Sequence, residues 1–532
     1  MAPAFALFHN PRALPEAPYG RVQEAVMDSA GHDAALDEIG RWPGYAPTPL
    51  VALDDVARAL GIASVQYKDE GGRFGLGSFK ALGGAYAVRR HLAGLLEARL
   101  GAPVTTADLL DGRHRALTET VTVTTATDGN HGRSVAWGAR LFGCRAVIYI
   151  HATVSAGRQE AIEQYGAQVV RTPGNYDDSV RQAAADAAAN GWTVVSDTSY
   201  AGYRDIPRDV MNGYTVMVEE ALRQWPGAAP PTHAFVQGGV GALPAAVAAH
   251  LWRRLGVRRP RFIVVEPEHA ACLLASARAG KPVAVTGALD TMMAGLACGE
   301  VSELAWDLLV RGADAFMAIP DQGAIDAMRL LAERQPPVVA GESAVAGLAA
   351  LRALAADPDA SAALRLGPDS RVLLFGSEGA TDPALYAKIV GCSAESVAQA
   401  FPSGGAASKP RRNRLMRRRG HWAAGGLAIT LAATFSGAAR AQDDPLFTVV
   451  RYHEAARAAE LCGGKKFTPA EQDKLAVLVG QVTQHRLPVG EELTAIREAR
   501  ANLQARVTAG GCSDPLVADA LRFYGTFQDR LR

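Results

Sequence analysis

Lysine is scarce in the first four hundred residues of this chain: only Lys68, Lys80, Lys281, Lys388 and Lys409 precede residue 410, while arginine is plentiful. Where arginine is the habit, a lysine can be there for its amine, which loses a proton and forms a Schiff base where guanidinium cannot. Lys80 lies in Arg73-Phe74-Gly75-Leu76-Gly77-Ser78-Phe79-Lys80-Ala81-Leu82-Gly83-Gly84, among apolar and small residues rather than on a polar face. Desolvation in such a setting is expected to lower its pKa. The competing reading is a lysine snorkelling from a helix end. A second chemical feature is Gly238-Gly239-Val240-Gly241-Ala242-Leu243, at a predicted strand-to-helix turn. Backbone N–H groups at such a turn, aided by the helix dipole, bind phosphate. Glycine turns also occur because chains must turn, and that reading stays open beside it. The segment is neither a Walker loop nor a full G-x-G-x-x-G fingerprint, so a small phosphorylated ligand fits better than a nucleotide. The six cysteines, Cys144, Cys272, Cys298, Cys392, Cys462 and Cys512, lack the close spacing of a structural zinc site, and no metal is expected.

The elements that must position these residues are legible in outline. Val121 to Thr125, Ala146 to Ile150, Trp192 to Val195, Ala234 to Gln237, Phe262 to Val265 and Val372 to Phe375 are predicted strands. Between them Ser134 to Phe142, Ser179 to Asn190 and Ala242 to Leu255 have helical composition. This alternation predicts an α/β fold with parallel sheets covered by helices. With 532 residues the chain is long enough for about three or four compact units. Its formal net charge of +1 gives no global field for nucleic acid, so a polyanion-binding role is not expected.

Composition changes abruptly at Arg411. Arg411, Arg412, Arg414, Arg417, Arg418 and Arg419 precede an uncharged stretch from Trp422 to Ala439, and Ala439-Arg440-Ala441 follows. Basic, apolar and small-residue regions in that order resemble a signal peptide, with Met416 as a start of its own. The stretch just reaches the length needed to span a bilayer, so membrane contact is expected through 422–439 alone. Met1 to Gly20 has no such pattern. The positive-inside rule then leaves the residues before 411 in the cytoplasm and those after 442 periplasmic or secreted. Three parts follow: an enzyme-sized unit over 1–405, with a small subdomain at roughly 90–215; a linker and anchor-like segment over 406–442; and a small helical tail over 443–532. In the tail Thr468-Pro469-Ala470-Glu471 is a capping box, and a second helical run extends from Glu491 to Gly510-Gly511. Cys462 and Cys512 are an even pair in an oxidising compartment, where a disulfide would be worth roughly 4 kcal/mol. The economical reading is a small secreted helical protein joined to an upstream enzyme.

Four motifs in order resemble the tryptophan-synthase-β-like, fold-type II pyridoxal-phosphate enzymes: Ser78-Phe79-Lys80, Thr127-Asp128-Gly129-Asn130-His131-Gly132, Gly238 to Leu243, and Ser377-Glu378-Gly379. Further segments are similar to the diaminopropionate ammonia-lyases within that superfamily: Arg73 to Leu76, Asp197 to Tyr203, Met293 to Glu300, Gly341-Glu342-Ser343 and Gly379 to Asp382. The resemblance covers roughly residues 5–400. It implies a large and a small parallel-sheet domain with pyridoxal 5'-phosphate between them, an amino-acid substrate and a homodimer. By the same resemblance Lys80 would carry the cofactor as a Schiff base and Asn130 would bond its phenolic oxygen. Gly238, Gly239, Val240, Gly241, Ala242 and Leu243 would hold its phosphate, and Ser377 would face its ring nitrogen. Asp128 departs from the wider superfamily and matches the ammonia-lyases. Asp128 and Asp197 could each meet a substrate ammonium or act as base, while a structural Asp128 capping the next helix is the alternative. His131 reads as scaffold or as a general acid. Cys272 and Cys298 would lie near the active-site mouth, as thiols by default in a cytosol. The expected reaction is elimination of ammonia from 2,3-diaminopropionate, possible on both enantiomers. A serine or threonine dehydratase of the same fold, and a membrane-tethered binding protein without activity, are the rivals.

Overall fold

The computed structural model describes residues 5–399 apart from 128, 153 and 175, and in the tail residues 445–465, 467, 468, 471, 474, 475, 478, 479, 499, 503, 506–508 and 511–530. The chain divides into two compact units, Met1–Lys409 and Pro410–Arg532.

The larger unit contains eleven described strands: β1 (Ala6–His9), β2 (Leu50–Ala52), β3 (Ser64–Asp69), β4 (Thr122–Ala126), β5 (Arg145–Ile150), β6 (Gln168–Arg171), β7 (Thr193–Val194), β8 (His233–Gln237), β9 (Arg261–Pro267), β10 (Ala315–Ile319) and β11 (Arg371–Gly376). Seven form a sheet in the order β1-β10-β9-β8-β11-β3-β2, parallel except where β1 and β2 join its edges antiparallel. The other four form an all-parallel sheet, β6-β5-β4-β7. The α/β class and its two parallel-sheet domains are as the alternation and the resemblance imply. All six predicted strands are present, shifted by a residue or two, and the helix Ala242–Leu255 has the predicted ends. Its neighbours begin earlier than composition indicates, at Asn130 and Tyr176.

Five strands were not legible, for three physical reasons. β3 carries Gln66 and Lys68, both buried, which breaks the apolar run that marks a central strand. Lys68 is tolerated there because its ammonium donates to Thr48 O at 2.6 Å, Glu220 Oε2 at 2.7 Å and Gln224 Oε1 at 3.0 Å. β10, Ala-Phe-Met-Ala-Ile, is buried throughout but poor in β-branched residues. β1, β2 and β6 are edge strands of three or four residues, too short for a period to show.

One helix links the sheets to the chemistry. Lys80–Leu100 begins at the singled-out lysine and packs on the helices Asn130–Phe142 and Asp205–Gln224. The contact is close enough to need glycine: a Cβ on Gly213 would come within 2.0 Å of Leu82 O, and one on Gly138 within 2.7 Å of Ala85 Cα. Ser134 Oγ joins the same crossing, donating to Lys80 O at 2.7 Å and accepting from Ala85 N at 3.1 Å.

The tail unit has its own core of Ala455, Leu475, Val479 and Phe527, around the helices Pro445–Cys462 and Pro515–Phe527. Cys462 and Cys512 form the expected disulfide. The capping box is in place, with Thr468 Oγ1 accepting from Glu471 N at 3.3 Å and Thr468 N donating to Glu471 Oε2 at 2.9 Å. Residues 400–444, including the segment 422–439, and most of 491–510 lie outside the described residues. No described helix is long and apolar enough to cross a membrane. A chain ending at Lys409 is expected to fold cooperatively and to bind cofactor like the full chain, because each unit has its own core. Thermal melting and cofactor titration of both forms check this; loss of either property on truncation contradicts it.

Candidate active site

A cavity opens between the C-terminal ends of β4 and β7 on one side and β8 and β11 on the other, where parallel α/β sheets place their ligands. Lys80, Asn130, Asp197, Gly239, Val240, Gly241, Ala242, Leu243 and Ser377 all line it, together with Thr127, Gly129 and His131. Asp128 lies outside the described residues, although both of its neighbours line the cavity.

The centre of the site is an ion pair. Lys80 Nζ donates to Asp197 Oδ2 at 2.5 Å, with the side chains 20% and 14% exposed. Burial alone would depress the ammonium, as the sequence context predicts. The Asp197 carboxylate reverses that, and Lys80 is raised above the ordinary lysine value. Burial likewise pushes Asp197 up, but the Lys80 ammonium holds it well below the usual carboxylate range. Both partners are therefore charged at neutral pH.

Each partner is anchored separately. Ser78 bridges to Glu378, Phe79 N donates to Ser377 O at 3.0 Å and Gly379 N to Gly77 O at 2.9 Å, which ties the start of the lysine helix to the loop after β11. The loop after β7 is pinned on both flanks of Asp197. Tyr203 OH donates to Val194 O at 2.8 Å and accepts from Ser196 N at 3.0 Å, while Ser199 N donates to Ser302 Oγ at 3.0 Å. His131 Nε2 donates to the Val195 carbonyl at 2.8 Å, so its Nδ1, 4.0 Å from Asp197 Oδ2, carries the lone pair. Burial lowers the pKa of this imidazole, and it is neutral. It braces the Asp197 loop, as the scaffold reading expects.

Opposite, β8 runs into the glycine turn. Gly238 N donates to Val265 O at 2.8 Å, so this N–H completes the sheet instead of facing a ligand. Gly238 contributes by its lack of a side chain, since a Cβ there would meet Leu273 Cδ1 at 2.6 Å. The N–H groups that remain for an anion are those from Gly239 to Leu243, at the start of the helix Ala242–Leu255. Gly241 has φ +102°, and a Cβ on Gly239 would lie 3.0 Å from Cys298 Sγ. This bare cradle, an amine and a hydroxyl on one cavity wall fit pyridoxal 5'-phosphate.

Four further residues were given no role by the sequence reading. Gln237, the last residue of β8, donates to Ser377 Oγ at 2.7 Å. Arg158 donates to Glu342 Oε1 at 2.8 Å, joining the helix Ala156–Glu163 beside the smaller sheet to the large domain. Glu378 accepts from Asn130 Nδ2 at 2.5 Å. Glu342 and Glu378 stood inside quoted motifs, and the signal available was a carboxylate beside the site that needs a partner. Lys68 does not line the cavity and is held by Glu220 instead, which excludes it as the chemical lysine. Cys272 and Cys298 are thiols, with Cys272 Sγ 3.5 Å from Gly239 O. Away from the cavity, His32, Glu219 and His250 bring ligand atoms within 4.8 Å of one another. Glu219 there is already paired with Arg223, His250 and Arg254, and Arg253 donates to His250 Nδ1, so the cluster is a saturated hydrogen-bond network.

Residues 41–378 match the model of the pyridoxal-phosphate dependent enzymes. The diaminopropionate ammonia-lyase of Escherichia coli (strain K12) is 39% identical over 356 residues, 65% of this chain and 88% of that protein. The crystal structure of the Escherichia coli diaminopropionate ammonia-lyase in complex with D-serine is similar with a TM-score of 0.66 and 35% identity, covering 73% of this chain and 96% of that one. The same enzyme in complex with an aminoacrylate-PLP azomethine reaction intermediate gives a TM-score of 0.65 at 35% identity, with the same coverage.

Asp197→Asn leaves burial, the largest single influence, acting on Lys80 without its counter-charge, so the lysine pKa is expected to fall. Because only the free amine captures cofactor, the pH midpoint of cofactor uptake by cofactor-free enzyme is expected to drop by roughly one unit or more. Stopped-flow absorbance across pH measures it, and an unchanged or higher midpoint shows that Asp197 does not set the charge of Lys80.

Proposed function

The chain belongs to the pyridoxal-phosphate dependent enzyme family, and we propose that its reaction is the elimination of ammonia from 2,3-diaminopropionate, giving pyruvate and a second ammonia. The observation that carries this reading is the buried Asp197 carboxylate on the cavity wall. Once Lys80 is engaged by cofactor, Asp197 would be an isolated buried anion unless the substrate brings a cation. The β-ammonium of diaminopropionate does so; the hydroxyl of serine or threonine does not, which disfavours the dehydratase alternative.

Bound pyridoxal phosphate supplies the conjugated electron sink that makes the substrate α-proton acidic. The N–H groups of Gly239 to Leu243 would hold its phosphate, the Ser377 hydroxyl would serve its ring nitrogen and the Asn130 amide its phenolic oxygen. A hydroxyl protonates that nitrogen less firmly than a carboxylate would, which suits prompt elimination over a long-lived carbanion. Lys80 Nζ takes the α-proton of the L substrate. Asp197 Oδ2 binds the β-ammonium and holds it in line to leave as ammonia. A D substrate would present its α-proton opposite to that of the L form and so would need a base other than Lys80, a role the resemblance gives to Asp128. The enzyme unit is read as a cytoplasmic homodimer on the arginine cluster after it and on the habit of its family; the tail is read as extracytoplasmic.

A panel of L- and D-diaminopropionate, L- and D-serine and L-threonine tests the reaction, with pyruvate or ketobutyrate release as readout. Diaminopropionate is expected to be the preferred substrate, and preference for a hydroxy amino acid contradicts the reading. Asp128→Asn keeps the shape and removes the base, so D turnover is expected to fall by roughly 10² or more while L turnover falls much less. Equal loss on both enantiomers marks Asp128 as a binding or structural residue.

A further inference from the structure

Gln237 is 1% exposed, lines the cavity and has no part in the chemistry described above. We propose that it is a positioning residue: its side-chain amide fixes the direction of the Ser377 hydroxyl, so that Ser377 presents its hydrogen to the cofactor ring nitrogen. The inference rests on the reading of Ser377 given under Proposed function.

The placement follows from the sheet. β8 and β11 are parallel neighbours with His233 beside Val372 and Phe235 beside Leu374, so Gln237 ends β8 where the chain leaves β11 for Ser377. Gln237 Nε2 donates to Phe375 O at 2.8 Å and to Ser377 Oγ at 2.7 Å. A backbone carbonyl can only accept, so the amide nitrogen must face Phe375 O; a flipped amide would set two oxygens against each other. The orientation is retained although Gln237 Oε1 is left buried with no partner among the described residues. Ser377 Oγ therefore receives a hydrogen from Gln237. Among the described residues no other group bonds this oxygen, and its own O–H is left for an acceptor in the cavity. A hydroxyl that already accepts a hydrogen bond is also a stronger donor. A pyridine nitrogen is an acceptor of the kind this arrangement fits.

The test uses full-length enzyme loaded with pyridoxal phosphate labelled with ¹⁵N in the ring, and reads the ring ¹⁵N resonance and the cofactor Kd. Ser377→Ala is the reference and is expected to move the resonance downfield, towards an unbonded pyridine. Gln237→Glu has the same shape, but its carboxylate has no hydrogen and accepts from Ser377, turning the hydroxyl away from the ring. Burial raises the pKa of such a carboxyl, so the downfield shift should match Ser377→Ala at about pH 9 and recede towards the parent position at about pH 6. Gln237→Met, which offers no hydrogen, is expected to weaken cofactor binding roughly fivefold and keeps the test open if the Glu variant does not fold. A shift in Ser377→Ala with parent-like resonance and Kd in both Gln237 variants overturns the role of Gln237. An unshifted Ser377→Ala overturns the reading of Ser377 itself, and the inference with it.

Discussion

Two opposite charges 2.5 Å apart, Lys80 and Asp197, are the constraint on which the rest of the site depends. Each has been withdrawn from most of its water, and each is tolerable only because the other is present. They come from different sheets. Lys80 opens the helix that follows β3, and Asp197 lies just beyond β7, so their contact holds only if the two sheets face each other across the cavity in one arrangement. The backbone bonds that join Phe79 and Gly77 to the loop after β11, and the bond from Ser199 N to the Ser302 hydroxyl, fix that arrangement from both directions. The arrangement is also chemically poised. In the proposed reaction the carboxylate that stabilises the resting ammonium would receive a substrate cation once the lysine turns to the cofactor.

Legibility in the sequence followed from how local each signal is. Lys80 stands out because lysine is rare and its neighbours are small, and the glycine cradle because three glycines stand together at a predicted strand-to-helix turn. The charge of Lys80 was predicted in the wrong direction, because the sequence shows the apolar neighbours but not a carboxylate 117 residues away. Gln237 could be read only as the last residue of a strand; its partner at Ser377 is 140 residues later and is brought beside it by strand pairing. β3 was hidden by Lys68, whose acceptors Thr48, Glu220 and Gln224 lie 20, 152 and 156 residues away. Gly238 was grouped with its neighbours as phosphate ligands, whereas its N–H belongs to the sheet. Local composition, in short, identifies groups able to react, and tertiary pairing decides their protonation and aim.

The tail obeys the same division. Its disulfide was legible because two cysteines alone remain after the arginine cluster, and its capping box because the signal spans four residues. It has an apolar core of its own.

The most direct measurement is to find where the cofactor is attached. Reducing the cofactor-loaded enzyme with borohydride makes that bond permanent, and digestion with peptide mapping locates it. The label is predicted on Lys80, in the peptide containing Ser78-Phe79-Lys80-Ala81. A label on Lys68 or Lys281 would contradict the assignment and, with it, the role given to Asp197.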